Sequence, residues 1–191
     1  MKMLEEAIFK YGKILDGEII KVDSFINHQV NPHITNELAE YFVNEFKDLR
    51  IDKVLTLETS GIPIAYAVAS LLGVNMVFAK KSKSKTVDTS NIYSADVYSF
   101  TRGIVSTVTV SKDYILKDEN ILIVDDFLAA GNAALGLVDI INQGGAHCVG
   151  VCASIEKSFQ GGRSKLNELG IRVRSGANII AFKDGLPVFG E

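Results

Sequence analysis

Residues 121–141, ILIVDDFLAAGNAALGLVDII, constrain the fold more than any other stretch. Four consecutive branched apolar residues suit a strand buried on both faces, and such strands belong to parallel sheets covered by helices. The run then meets two adjacent carboxylates and a loop of small residues. A second apolar pattern follows, in which Ala134, Leu137, Val138 and Ile141 share one face of a helix that ends at Gly144 and Gly145. A buried carboxylate is costly unless something pairs with it. Asp125 and Asp126 therefore need partners, and a ligand can supply them.

The same order of elements recurs from residue 53. KVLTLE reads as a strand, TSGIP as a tight loop, IAYAVASLLG as a helix closed by Gly73 and VNMVFAKK as another strand. HCVGVCASIE is a further strand, IRVRS a shorter one, and TVTVS a flanking one. Ahead of them, Leu4, Ile8, Tyr11 and Leu15 predict an amphipathic helix over 3–15, followed by the polar, irregular DGEIIKVDSFINHQV. Asn31 and Pro32 suit the cap and first position of a helix striped by Leu38, Phe42, Phe46 and Leu49. Residues 82–102 carry no periodicity and read as a long mobile loop or hairpin, a length that tends to be functional in compact domains. The expected architecture is one α/β domain over 1–191, a mainly parallel sheet flanked by helices.

Composition removes several classes of function. A net charge of −3 leaves no electrostatic footprint for duplex nucleic acid, although Lys80, Lys81, Lys83 and Lys85 can meet a small anion. The opening MKMLEEAIFKYG has acids where a secretory signal needs apolar residues, and no stretch approaches the roughly 18 apolar residues of a membrane span. A cytoplasmic location is expected. Cys148 and Cys152, four apart in a strand-like run, are expected on the same face as small core residues; their spacing fits neither a zinc pair nor a redox CxxC.

In parallel sheets, ligands bind beyond the carboxyl ends of the strands. Asp125 and Asp126 fall at such an end. The helix start after FLAAGNA offers free backbone N–H groups and a dipole for phosphate, and Ala129, Ala130 and Gly131 let an anion approach the backbone. Carboxylates for hydroxyls beside amides for phosphate suit a sugar phosphate. LETSGIP repeats the logic with Glu58, Thr59, Ser60 and Gly61 at a second strand end, and the lysines follow a third. The three together suit a ligand bearing two phosphate groups.

ILIVDDFLAAGNA resembles the 5-phosphoribosyl-1-pyrophosphate (PRPP) signature of the type I phosphoribosyltransferases. It departs at Asn132, where a hydroxyl residue usually follows the glycine. KVDSFINHQVNP, LETSGIP, VYSFT, VDDFLAAGNAALGLV and IEKSFQGGR, in this order, narrow the resemblance to the bacterial branch of that family that uses xanthine. The resemblance implies the type I fold, with a small hood built from about 15–30 and 157–191 over a core of about 31–156. It implies Mg2+ carried on substrate oxygens, with no metal ligand from protein side chains, and a homodimer. It places Ala129, Ala130, Gly131, Asn132 and Ala133 around the 5′-phosphate and Asp125 and Asp126 on the ribose hydroxyls as the catalytic acids. Glu58, Thr59, Ser60, Gly61 and Lys81 fall to the pyrophosphate, and Ile20, Asn27, Lys157 and Phe159 to the base. Residues 82–102 would form a lid bringing in Tyr98 and Lys85.

Three alternatives compete. Purine-responsive regulators share the fold and bind the same donor without turnover, but carry a DNA-binding segment that is not legible here. Phosphoacceptor receiver domains also place adjacent aspartates after an apolar strand, but near the domain start. Sister transferases act on guanine, hypoxanthine, adenine or orotate, and neither charge nor spacing separates them.

Overall fold

Gly12 ends the first helix sooner than its apolar spacing implies. In the computed structural model, which describes residues 1–15, 18–81, 89–99 and 103–190, α1 spans Lys2–Tyr11 rather than 3–15. The Gly12 N–H closes the helix on the Ile8 carbonyl at 2.9 Å, and a Cβ at Gly12 would lie 2.4 Å from that oxygen. The chain leaves in an extended conformation, so β1 (Lys13–Leu15) pairs antiparallel with β2 (Ile19–Lys21). The stretch expected to be irregular thus holds a hairpin arm and a π-helical turn, Asp23–Asn27. Local propensity does not announce either; burial of Ile20, Val22, Phe25 and Ile26 against the core holds them.

Asn31 caps α2 (Pro32–Glu45) as expected, its Oδ1 accepting from the His33 and Ile34 N–H groups at 3.0 and 3.2 Å. Leu38, Phe42 and Phe46 are buried. Next come β3 (Lys53–Leu57), α3 (Ile62–Leu72), which Gly73 closes at φ 69°, and β4 (Asn75–Lys81). β5 (Ile92–Ser99) and β6 (Ile104–Ser111) form an antiparallel hairpin, the second of the two forms expected for residues 82–102, of which β5 is part. Its inner side chains, Ala95 and Val97, are buried; Val97 fills the space left by Gly136, where a Cβ would come within 2.6 Å. Lys83 and Lys85 lie outside the described residues.

The second half alternates up to β9 and closes on a hairpin: β7 (Asn120–Leu128), α4 (Asn132–Gln143), β8 (His147–Lys157), α5 (Gly162–Glu168), β9 (Val173–Lys183) and β10 (Leu186–Gly190). The strands assemble into one eight-stranded sheet in the order β10-β9-β8-β7-β3-β4-β6-β5. Its centre, from β9 to β4, is parallel, and both margins are antiparallel. Side chains of α1, α2 and α3 pack in a core on one face; those of α4 and α5 pack in a second core on the other. Among the described residues no helix is long and apolar enough to cross a membrane.

Two further expectations change. IRVRS is the start of an eleven-residue strand, β9, because β8 offers it a parallel ladder from Val151 to Lys157. Cys148 and Cys152 do not share a face. Ile121 pairs with Cys148 but Leu122 with Gly150, so Val149 is one extra residue in β8, and a bulge inverts the alternation. Cys152 joins the α1–α3 core and Cys148 packs against the α4–α5 core. Burial pushes both thiols up, that of Cys148 to about 12, so neither is a thiolate at neutral pH.

Candidate functional site

The carboxyl ends of β8, β7 and β3 lie side by side in the sheet. β7 does not stop at Val124: it continues through the acid pair to Leu128, because β8 runs beside it, pairing Phe127 with Ile155 and Leu128 with Glu156. Asp125 and Asp126 are therefore held on a strand rather than a loop. Asp125 Oδ1 accepts the Asp126 N–H at 3.0 Å. Burial pushes Asp125 well above the usual carboxylate range, and the Asp126 charge pushes it further; burial also raises Asp126. The Lys81 ammonium works against both shifts. Such a pair favours one shared proton until donors arrive.

The loop between β3 and α3 rests on this pair. A Cβ at Gly61 would lie 2.4 Å from Asp125 Oδ1 and 2.2 Å from Thr56 Oγ1, so no side chain fits there. Glu58 donates its N–H to the Ala79 carbonyl at 3.0 Å and accepts the Lys81 N–H on Oε1 at 2.7 Å. Its carboxylate thus ties the loop to β4, and the Glu58–Thr59 peptide is cis. Thr59, Ser60 and Gly61 make the turn into α3, with the Ile62 N–H on the Thr59 carbonyl at 3.2 Å. Lys81 ends β4 beside this loop, whereas the Lys80 ammonium stands 5.8 Å over the Phe78 ring.

The small-residue loop Ala129–Gly131 turns at Gly131, φ 85°, into α4, which begins at Asn132 and Ala133. Asn132 does not turn its side chain into the loop as a hydroxyl residue would; its Nδ2 donates to the Tyr98 carbonyl of β5 at 3.0 Å. What shapes the loop is α5. The Gly162 N–H donates to the Ala129 carbonyl at 3.0 Å, and Lys165 Nζ donates to the Ala130 carbonyl at 2.9 Å. A Cβ at Gly162 would fall 2.3 Å from the Ala129 oxygen and 2.8 Å from the Gly131 nitrogen. Arg163 anchors this turn on the buried Glu156, Nε to Oε1 at 2.7 Å, and on the Val173 carbonyl at 3.1 Å. Sequence reasoning assigned no role to Gly162, Arg163 or Lys165; the signal was the pair of glycines after a strand end.

At the third strand end, Lys157 closes β8. Its Nζ donates to the Glu18 carbonyl at 2.8 Å and stands 5.8 Å from the Phe182 ring centre. Burial lowers its pKa. Phe159, 43% exposed, meets Phe182 edge-on at 6.1 Å. Ile20 is buried in β2, opposite Ile14. Asn27 ends the π-helical turn, with its Oδ1 buried and without a hydrogen-bond partner. Lys157 and the β1–β2 hairpin are thus brought together through Glu18. Among the described residues no cluster of three His, Cys, Asp or Glu side chains forms a metal site.

Carboxylates able to accept hydroxyls, beside a helix start able to hold a phosphate, give the switch region of this α/β sheet the chemistry that a sugar phosphate needs. Residues 27–175 match the phosphoribosyl transferase domain, and the chain belongs to the phosphoribosyltransferase family. It is 45% identical to the xanthine phosphoribosyltransferase of Bacillus cytotoxicus, over 99% of this chain and 95% of that one. It is 48% identical to the xanthine phosphoribosyltransferase of Streptococcus uberis, over 97% and 95%. The fold is similar to that of the APRTase from Giardia lamblia complexed with 9-deazaadenine, at TM-score 0.76 and 18% identity over 92% and 97% of the two chains. The adenine phosphoribosyltransferase of Rhodothermus marinus gives 0.75 at 19%, over 94% and 100%. The type I fold is thereby established, and the receiver-domain reading falls.

Proposed function

We propose that this chain transfers the 5-phosphoribosyl group of PRPP to xanthine, giving XMP and pyrophosphate in purine salvage. The observation that carries this reading is the acid pair of β7 set beside the small-residue loop, in a chain whose full-length relatives bear that activity in their names. A bond forms between the anomeric carbon and a purine nitrogen, the bond to pyrophosphate oxygen breaks, and the nitrogen's proton leaves to solvent. Asp125 and Asp126 accept the ribose hydroxyls and stabilise the positive charge that builds on the sugar as pyrophosphate departs. Ala129 to Ala133 hold the 5′-phosphate; Glu58 to Gly61 and Lys81 hold the pyrophosphate.

Lys157 offers an ammonium donor to a purine carbonyl, which favours oxo over amino purines. The Asn27 Oδ1 without a partner suits a ring N–H of the same base, with Ile20 and Phe159 against the ring. On this reading, about 15–30 and 157–191 roof the site over a core of 31–156, although β9 and β10, both within 157–191, are strands of the main sheet. A hard dication prefers oxygen ligands, which the substrate itself supplies. Mg2+ on the substrate's diphosphate and ribose oxygens would neutralise the leaving group. Incubation with PRPP, Mg2+ and each base in turn tests the function: XMP and pyrophosphate are expected with xanthine. A nucleotide formed faster with guanine or hypoxanthine would establish a sister transferase, and binding without turnover a regulator.

The brace from α5 carries its own prediction. Gly162→Ala forces the Ala129–Gly131 backbone to move, and a displacement of this kind lowers kcat/KM for PRPP about 10- to 100-fold. KM for xanthine should stay near wild type, as steady-state kinetics with each substrate varied would show.

We also place the homodimer and the cytoplasm within this reading. A cavity of about 510 Å³ between α2 and α3 is lined by Pro32, Thr35, Pro63 and Tyr66, with Tyr66 and Leu71 66% and 53% exposed. An apolar face of this kind suits a second copy. Tyr66→Glu should turn a dimer into a monomer in light scattering; a variant that stays dimeric moves the interface elsewhere.

A further inference from the structure

β3 carries one polar side chain near the acid pair that the reaction, as described, does not use. Thr56 has 0% exposure, and its Oγ1 has no hydrogen-bond partner. A buried hydroxyl in that state is costly, and valine would occupy the same space without the cost. Its surroundings suggest why threonine stands there. A Cβ at Gly61 would meet Thr56 Oγ1 at 2.2 Å and Asp125 Oδ1 at 2.4 Å, so the two oxygens border one small space that only the missing side chain of Gly61 keeps clear.

We propose that Thr56 is a positioning residue for Asp125, its hydroxyl donating to Asp125 Oδ1 when ribose fills the site. The inference rests on reading Asp125 as the residue that faces the ribose. Asp125 Oδ1 already accepts one donor from its own strand, the Asp126 N–H at 3.0 Å. A second donor from β3 fixes the carboxylate from below, and its other oxygen then faces the sugar. A preorganised charge stabilises a developing cation without reorganising at the moment of reaction. Gly61 acquires a second purpose: besides turning the chain into α3, it leaves the path between the two oxygens open.

Thr56→Val removes the hydroxyl at nearly constant volume and Thr56→Ser retains it. The valine variant is expected to lose about tenfold in kcat, the value of one hydrogen bond, with KM for xanthine unchanged. The serine variant should recover most of that loss, and Thr56→Val, which removes an unpartnered buried hydroxyl, should melt no lower than wild type. Because Thr56 acts through Asp125, adding Thr56→Val to Asp125→Asn should cost nothing further. If the valine variant does not fold, Thr56→Ala measured against Thr56→Ser makes the same comparison. Wild-type kcat in Thr56→Val, or equal losses in the valine and serine variants, would overturn the proposal. If Asp125→Asn is impaired while Thr56→Val is not, only this inference fails; if Asp125→Asn is itself unimpaired, the ribose reading falls with it.

Discussion

Asp125→Asn is expected to lower kcat about 100- to 1,000-fold, the usual cost of removing a preorganised electrostatic group from a reaction centre. Asp126→Asn should act in the same direction. The fold should survive, and the thermal behaviour supplies a check independent of activity. Burial and the Asp126 charge raise the Asp125 pKa in the folded state above its unfolded value. The stability tied to the neutral carboxyl is therefore fully present below the unfolded pKa and is lost as pH rises through the folded one. Asparagine cannot ionise, so the variant escapes that loss. Its Tm should match wild type in acid and exceed it increasingly toward neutral pH, as thermal scans across that range would record. Wild-type turnover in Asp125→Asn would remove the carboxylate from the mechanism, and a Tm below wild type at neutral pH would contradict the burial argument.

Lys157→Ala should raise KM for xanthine about 10- to 100-fold, the range for losing one hydrogen bond from a charged donor. KM for PRPP should change little, because the loops proposed to hold its phosphates are tied down from β4 and α5 rather than by β8's last residue. The ammonium now donates to the Glu18 carbonyl, and burial already lowers its pKa. Lys157→Arg should rescue poorly, since a planar guanidinium does not replace a compact ammonium in this partly buried position. Equal increases in both Michaelis constants would detach Lys157 from the base.

The alternation that begins at residue 53 was legible because the central strands β3, β7 and β8 are rich in consecutive apolar residues and the helices between them open or close on proline or glycine. Pro63, Gly73 and Gly131 stand where such punctuation belongs. The N-terminal region was harder to read. Tyr11 and Leu15 continue the helical spacing, yet Gly12 ends α1, because only tertiary pairing of β1 with β2 rewards leaving the helix there. The β5–β6 hairpin could be read only as one alternative to a loop, for a related reason. Its exposed face is rich in Ser, Thr and Tyr, and its alternating inner face shows only Ala95 and Val97 as buried apolar residues on β5. A bulge at Val149 leaves no sequence signature at all, and it separated two cysteines whose spacing implied a common face.

At the site, the acid pair, the small-residue loop and the turn at Gly61 could be found from residue type alone, since each rests on a property that a residue carries with it. Carboxylates resist burial, glycine admits close approach, and a helix start attracts anions. The α5 brace and the space between Thr56 and Asp125 could not, because they join residues far apart in sequence and rest on distances that exist only once the strands are aligned. Local chemistry therefore wrote into the chain a parallel α/β protein with an acid pair and a small-residue loop at one strand end. Which carbonyls α5 ties down, which face each cysteine takes and what Asp125 meets were decided by packing, where a shift of one residue in register exchanges every neighbour.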